Sequence, residues 1–236
     1  PLGERLVAWL SRIIGAPEIS TKPQPRYSES RLVPAFVPVL IKDLNPGNTD
    51  SEPRQFTVIG STLFFTANDA VGGRELWKSD GTATGTFRVK DINPGLASSN
   101  PLGLTAVGGL LFFSASDGVN GRELWKSDGT SAGTVLVKNL SAGAANSNPA
   151  DMTLVGATVY FAANDGVSGR ELWKTDGTAA GTVLVKDIAT EVDHSNPQSL
   201  LNVNGRLWFT AVDAAHGREL WSSDGTAANT TLVVDL

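Results

Sequence analysis

The sequence predicts an all-β protein, a β-propeller of four-stranded antiparallel blades, on three observations. A ten-residue block, GRELWKSDGT, stands verbatim from Gly73 and from Gly121, recurs from Gly169 with Thr175 as its one change, and returns as GRELWSSDGT from Gly217. The register is strict, since Trp77, Trp125, Trp173 and Trp221 follow one another at intervals of 48 residues. Within each period, short β-prone runs alternate with turn residues, and no helical apolar pattern of useful length occurs. Periods of about 20 to 50 residues indicate solenoids, propellers or tandem arrays, and four strands per period select a propeller blade.

The second period shows why each element forms. Leu104-Thr105-Ala106-Val107 is a short apolar run closed by Gly108-Gly109, a two-residue hairpin signal. Leu110 to Ala115, LLFFSA, is strongly β-prone. Ser116-Asp117-Gly118 turns the chain into a third strand, Arg122 to Ser127, and Asp128-Gly129 turns it into a fourth, Thr134 to Val137.

The strand count does not close. Val37 to Leu44 (VPVLIKDL) matches a blade's fourth strand, and Thr231 to Leu236 is a further copy of that strand. Four complete blades therefore carry one extra outer strand. Three arrangements accommodate it: a longer native chain, a dimer that completes a larger ring, or a four-bladed ring with one strand displaced. A longer or assembled ring is expected, and a start at Pro1 rather than Met reads as a processed, tagged or excised chain.

Blocks such as GRELWKTDGTAAGTVLVKDI, Gly169 to Ile188, resemble the ELWxxDGT repeat of many bacterial proteins. The resemblance covers roughly residues 36 to 236 and implies a propeller-like fold in mostly exported proteins, hence an extracellular or periplasmic location. It implies no particular chemistry.

Composition narrows the function classes. A formal net charge of -5 and a pI near 5.0 argue against sequence-independent nucleic-acid binding. The chain has no cysteine, which excludes disulfides and thiolate chemistry. No apolar run approaches the roughly 18 residues of a spanning helix, so no transmembrane segment is expected.

Residues 1 to 35 differ from the repeats. Leu2, Leu6, Trp9, Leu10, Ile13 and Ile14 share one face of a short predicted helix that Gly15-Ala16-Pro17 ends, and a polar, proline-bearing arm follows. That face either covers an open side of the propeller or docks on a partner, with Leu6, Trp9, Leu10 and Ile13 as the docking candidates.

Repeated polar residues are the candidates for chemistry. Asp69, Asp117, Asp165 and Asp213 sit in the loops between second and third strands, where turn geometry is expected and Ca2+ is the weaker alternative. No other cofactor is expected. Asp80, Asp128, Asp176 and Asp224 precede Gly-Thr and read as turn residues.

Arg74, Arg122, Arg170 and Arg218 adjoin Glu75, Glu123, Glu171 and Glu219, and an Arg of one blade is expected to meet a Glu of its neighbour. A glycan or carboxylate site on the arginines is the alternative. The four repeat tryptophans are expected to pack between blades, with sugar stacking as the alternative. His194 and His216 occur in the fourth repeat alone and form no recognisable triad.

The expected function is a non-enzymatic binding or assembly module for another protein or for copies of itself. A lectin-like propeller is second, and a hydrolase or lyase, betrayed by one unlike loop cluster near His194 or His216, is third.

Overall fold

A computed structural model describes residues 38–190 and 194–235. The predicted helix, its arm and the docking candidates Leu6, Trp9, Leu10 and Ile13 lie outside these residues. Sixteen strands form four separate four-stranded antiparallel sheets, each in simple up-and-down order.

Blade 1 holds β1 (Arg54–Ile59), β2 (Thr62–Asp69), β3 (Gly73–Ser79) and β4 (Phe87–Lys90). Blade 2 holds β5 (Leu102–Val107), β6 (Leu110–Ser116), β7 (Arg122–Ser127) and β8 (Val135–Lys138). Blade 3 holds β9 (Ala150–Val155), β10 (Thr158–Asn164), β11 (Arg170–Thr175) and β12 (Val183–Lys186). Blade 4 holds β13 (Gln198–Val203), β14 (Arg206–Asp213), β15 (Gly217–Ser223) and β16 (Thr231–Val234). The fold is the propeller-type β-architecture that the repeat predicts.

The local chemistry matches these bounds. Gly108 and Gly109, at φ 53° and 86°, make the two-residue β5–β6 turn that needs left-handed backbone at both positions. Each first strand carries an irregularity in its pairing, with Gln55, Gly103, Asp151 or Ser199 in the left-handed region. Gly121 has φ 74°, and a Cβ there would stand 2.1 Å from the Ala145 carbonyl oxygen, so only glycine lets the connecting loop approach.

The core lies between blades rather than inside any one of them, because the sheets bury their faces against one another. Phe64, Leu76, Val89 and Ile92 of the first repeat meet Leu111, Phe113, Ala115 and Trp125 of blade 2. The same eight positions, one period on, join blades 2 and 3 through Phe112, Leu124 and Trp173, and blades 3 and 4 through Tyr160, Leu172 and Trp221. Lysines add a polar clamp: Lys90, Lys138 and Lys186 Nζ each donate to a carbonyl in the following blade, Thr134, Thr182 and Thr230, at 2.8 Å.

The extra strand takes a definite place. Lys42 Nζ donates to the Thr86 carbonyl at 2.6 Å, as the other lysines do one blade on, and Leu44 packs on Phe65, Ala67 and Trp77. Lys42 thus stands where the fourth-strand lysine of a preceding blade would stand, and residues 38–43 join no ladder among the described residues.

The two ends of the array are unequal. On blade 1 the face of Phe65, Ala67 and Trp77 is buried. On blade 4 the opposite face has no apolar cluster among the described residues, and Val233 is 43% exposed where Val89, Val137 and Val185 are 4 to 6%. Trp208 and Leu220 are likewise partly exposed, whereas their counterparts Tyr160 and Leu172 are buried.

Candidate binding surfaces: seams, loops and the arginine pocket

The tryptophans settle as interblade packing. Trp77, Trp125, Trp173 and Trp221 are each 6% exposed, and the last three stand in the clusters that join successive blades. No ring face is open for a sugar. Their four indole N–H groups are buried without an acceptor, a cost the apolar contact outweighs.

The expected Arg–Glu pairing between blades does not form at Glu75, Glu123 or Glu171. These carboxyls are fully buried and turn to the Ser-Asn-Pro segment that opens the next period. Glu123 accepts the Leu140 N–H at 3.0 Å, the Ser147 N–H at 3.0 Å and the Ser147 hydroxyl at 2.5 Å. Glu75 and Glu171 repeat this with Ile92 and Ser99, and with Ile188 and Ser195. The pairing fails because the linkers between blades supply nearer partners, N–H and hydroxyl groups to each buried Glu and a carbonyl to each Arg. Burial raises all three carboxyls, Glu75 to about 7, against the lowering effect of these hydrogen bonds.

The arginines leave on the other face and grip the linker that precedes their own blade. Arg74, Arg122, Arg170 and Arg218 donate through Nη1 to the carbonyls of Glu52, Asn100, Asn148 and Asn196, at 2.8 to 3.0 Å. All four acceptor residues are left-handed, at φ 43° to 47°. Arg74 alone has a carboxylate as well, its Nη2 lying 2.8 Å from Glu52 Oε2.

The Asp-Gly-Thr set behaves as turn chemistry. Asp80, Asp128, Asp176 and Asp224 each accept the N–H and the hydroxyl of the threonine two residues on, at 2.7 to 2.9 Å. Those bonds hold the carboxyls below their ordinary range, Asp224 at about 2. Gly225 keeps the blade 4 turn pressed on blade 3, since a Cβ there would lie 2.1 Å from the Tyr160 hydroxyl.

Asp69, Asp117, Asp165 and Asp213 also cap their own loops, each accepting the N–H groups two and three residues on at 2.5 to 3.1 Å. No group of three or more His, Asp or Glu residues suited to a metal ion occurs among the described residues.

Each of these loops lies beside the residue that ends its blade's fourth strand, and the blades treat that pair differently. Blade 1 places Arg88 between Asp69 and Asp91, at 3.5 and 3.8 Å, in space that Gly72 leaves empty. Blade 2 has Asn139, linked at 3.0 Å to Asn120, which bonds Asp117 at 2.7 Å. Blade 3 keeps Asp187, raised by burial and then by Asp165. Blade 4 sets His216 2.9 Å from Asp213, and that hydrogen bond raises the imidazole.

Two shallow cavities lie at the seams. One, of about 290 Å³, is lined by Thr190, His194, Asn196 and Asp213 between blades 3 and 4. His194 is committed to the backbone there, accepting the Arg170 N–H at 2.8 Å. The other, of about 360 Å³, lies between blades 2 and 3 and has Ser114, Arg122, Asn148, Asp151 and Arg170 on its walls. The lysine clamp and this two-arginine seam were missed from sequence, although Lys42, Lys90, Lys138 and Lys186 keep the 48-residue step.

No family model and no curated protein matches the chain. Among solved structures it is similar to a puromycin hydrolase, at 18% identity and TM-score 0.47 over 77% of this chain and 32% of that one. A puromycin-hydrolysing peptidase of Mycobacterium tuberculosis gives 14% and 0.48 over 77% and 30%. A putative TolB from Agrobacterium tumefaciens gives 12% and 0.43 over 75% and 62%. The chain thus spans about a third of the length of the two hydrolases.

Proposed function

We propose that this protein is a non-enzymatic assembly module, an exported bacterial propeller of the ELWxxDGT repeat type that associates through its fourth blade. The observation that carries the reading is the open face of Trp208, Leu220 and Val233, a fourth copy of a surface that is buried on blades 1, 2 and 3. Exposed apolar surface that continues an established interface is a docking surface.

The occupant is the same face of a second copy. Blade 1's corresponding face of Phe65, Ala67 and Trp77 is already covered, with Leu44 packed on it, which leaves the blade 4 face to meet its own copy. A single self-associating face gives a closed two-fold dimer rather than a filament. The loop carboxylates support a binding role over catalysis, since each is committed to its own turn.

Native mass against denatured mass tests this directly. The expected result is a doubled native mass that returns to a single chain mass in Val233→Asp, with the β-sheet circular dichroism unchanged. A single chain mass for the unaltered protein at all concentrations overturns the reading, as does a doubled mass that survives Val233→Asp.

A further inference from the structure

The four repeat arginines share one anchor and differ in one partner. In blade 1, Arg74 donates Nη1 to the Glu52 carbonyl and Nη2 to that residue's own carboxylate, both at 2.8 Å. In blade 2, Arg122 donates Nη1 to the Asn100 carbonyl at the same 2.8 Å and also reaches Ser114. Asn100 supplies no carboxylate, and its side-chain amide turns back to the Ser98 carbonyl. Arg122 therefore holds its Nη1 as Arg74 does, and no ion pair to it is present among the described residues.

This guanidinium faces the cavity of about 360 Å³ between blades 2 and 3, within the size range of small-ligand sites. Arg170 stands on the same wall with Asp151 close enough to influence it. The two arginines are partly desolvated, which strengthens any charged hydrogen bond made there. Asp151, exposed at this cavity, offers acceptors for a polyhydroxylated ligand, whereas a plain carboxylate would leave them unused.

We infer that the seam between the second and third blades binds an acidic sugar, its carboxylate seated on Arg122 as Glu52 is seated on Arg74 and its hydroxyls meeting Asp151. Blade 1 carries its own tethered version of the ligand's charged group. Blade 2 takes that group from outside.

The internal comparison supplies the test. Asn100→Glu installs on Arg122 the carboxylate that Arg74 already has, at a left-handed position where a glutamate is accommodated in blade 1. Glucuronate, glucose and N-acetylglycine are titrated into the unaltered chain and into Asn100→Glu by calorimetry. Asn196→Glu, which closes Arg218 outside this seam, serves as the control.

The expected result is that glucuronate binds and glucose does not, that Asn100→Glu weakens glucuronate about ten- to a hundredfold, the range for losing a hydrogen bond to a charged group, and that Asn196→Glu changes nothing. Glucuronate binding that is absent, or that survives Asn100→Glu intact, overturns the assignment. N-acetylglycine binding as well as glucuronate also overturns it, in favour of a peptide carboxyl terminus. Arg122→Met, which leaves the Asn100 loop sequence unaltered, repeats the test if Asn100→Glu fails to fold.

Discussion

At the scale of single residues, the buried glutamates are the most consequential. Glu75, Glu123 and Glu171 each tie a third strand to the first residues of the following repeat, so one side chain links two blades. Glu75 is raised from its ordinary 4.5 to about 7, and the folded protein therefore binds more protons than the unfolded chain between those values. Stability from this site is fully present below about 4.5 and falls as pH rises towards 7, by about 3 kcal/mol at roughly 1.4 kcal/mol per pKa unit. The expected outcome is that Glu75→Gln flattens the dependence of the urea midpoint on pH between 4.5 and 7.5. An unchanged slope would place the titrating group elsewhere. The Asp-Gly-Thr carboxyls, all lowered, act in a separate window, contributing above the unfolded pKa and losing that contribution as pH falls further.

At the scale of elements, the third strand of each blade does most of the joining. Its Trp meets the preceding blade, its Glu takes up the linker that follows its blade, and its Arg grips the linker that precedes it. A change there weakens two blades at once. In monomeric Val233→Asp protein, Trp173→Ala is expected to cost about 3 to 5 kcal/mol, the range for deleting a buried aromatic, and Trp208→Ala much less because its face is open there. Thermal unfolding checks the ordering, and in the unaltered protein Trp208→Ala is expected to cost more, because the dimer buries that face. This difference links the measurement to the native mass, since a dimeric sample should be compared with one carrying Val233→Asp.

At the scale of the whole molecule, stability is distributed along a row of near-identical seams. In such arrays it is approximately a sum of repeat terms and nearest-neighbour terms. Blade 4 has one described apolar seam where blades 2 and 3 have two. Amide hydrogen exchange in monomeric Val233→Asp protein is therefore expected to be at least about tenfold faster in β16 than in β8 or β12. Uniform protection across the four blades would show that the array unfolds as one unit.

The repeat itself determined the architecture, because a strict 48-residue step with four strand signals admits little else. Turn roles were also legible, since an aspartate two residues before a threonine N–H acts through neighbours in the chain. What lies between repeats was not. Whether Glu123 meets an arginine or the Ser147 hydroxyl, where Lys42 stands, and which face of blade 4 is open are decided by contacts between groups up to 44 residues or more apart. The carboxylate position on Arg122 is visible only when Arg74 and Glu52 are seen together. A sequence fixes local hydrogen-bond geometry by adjacency, but which of several partners satisfies a buried polar group depends on the distances that tertiary packing sets.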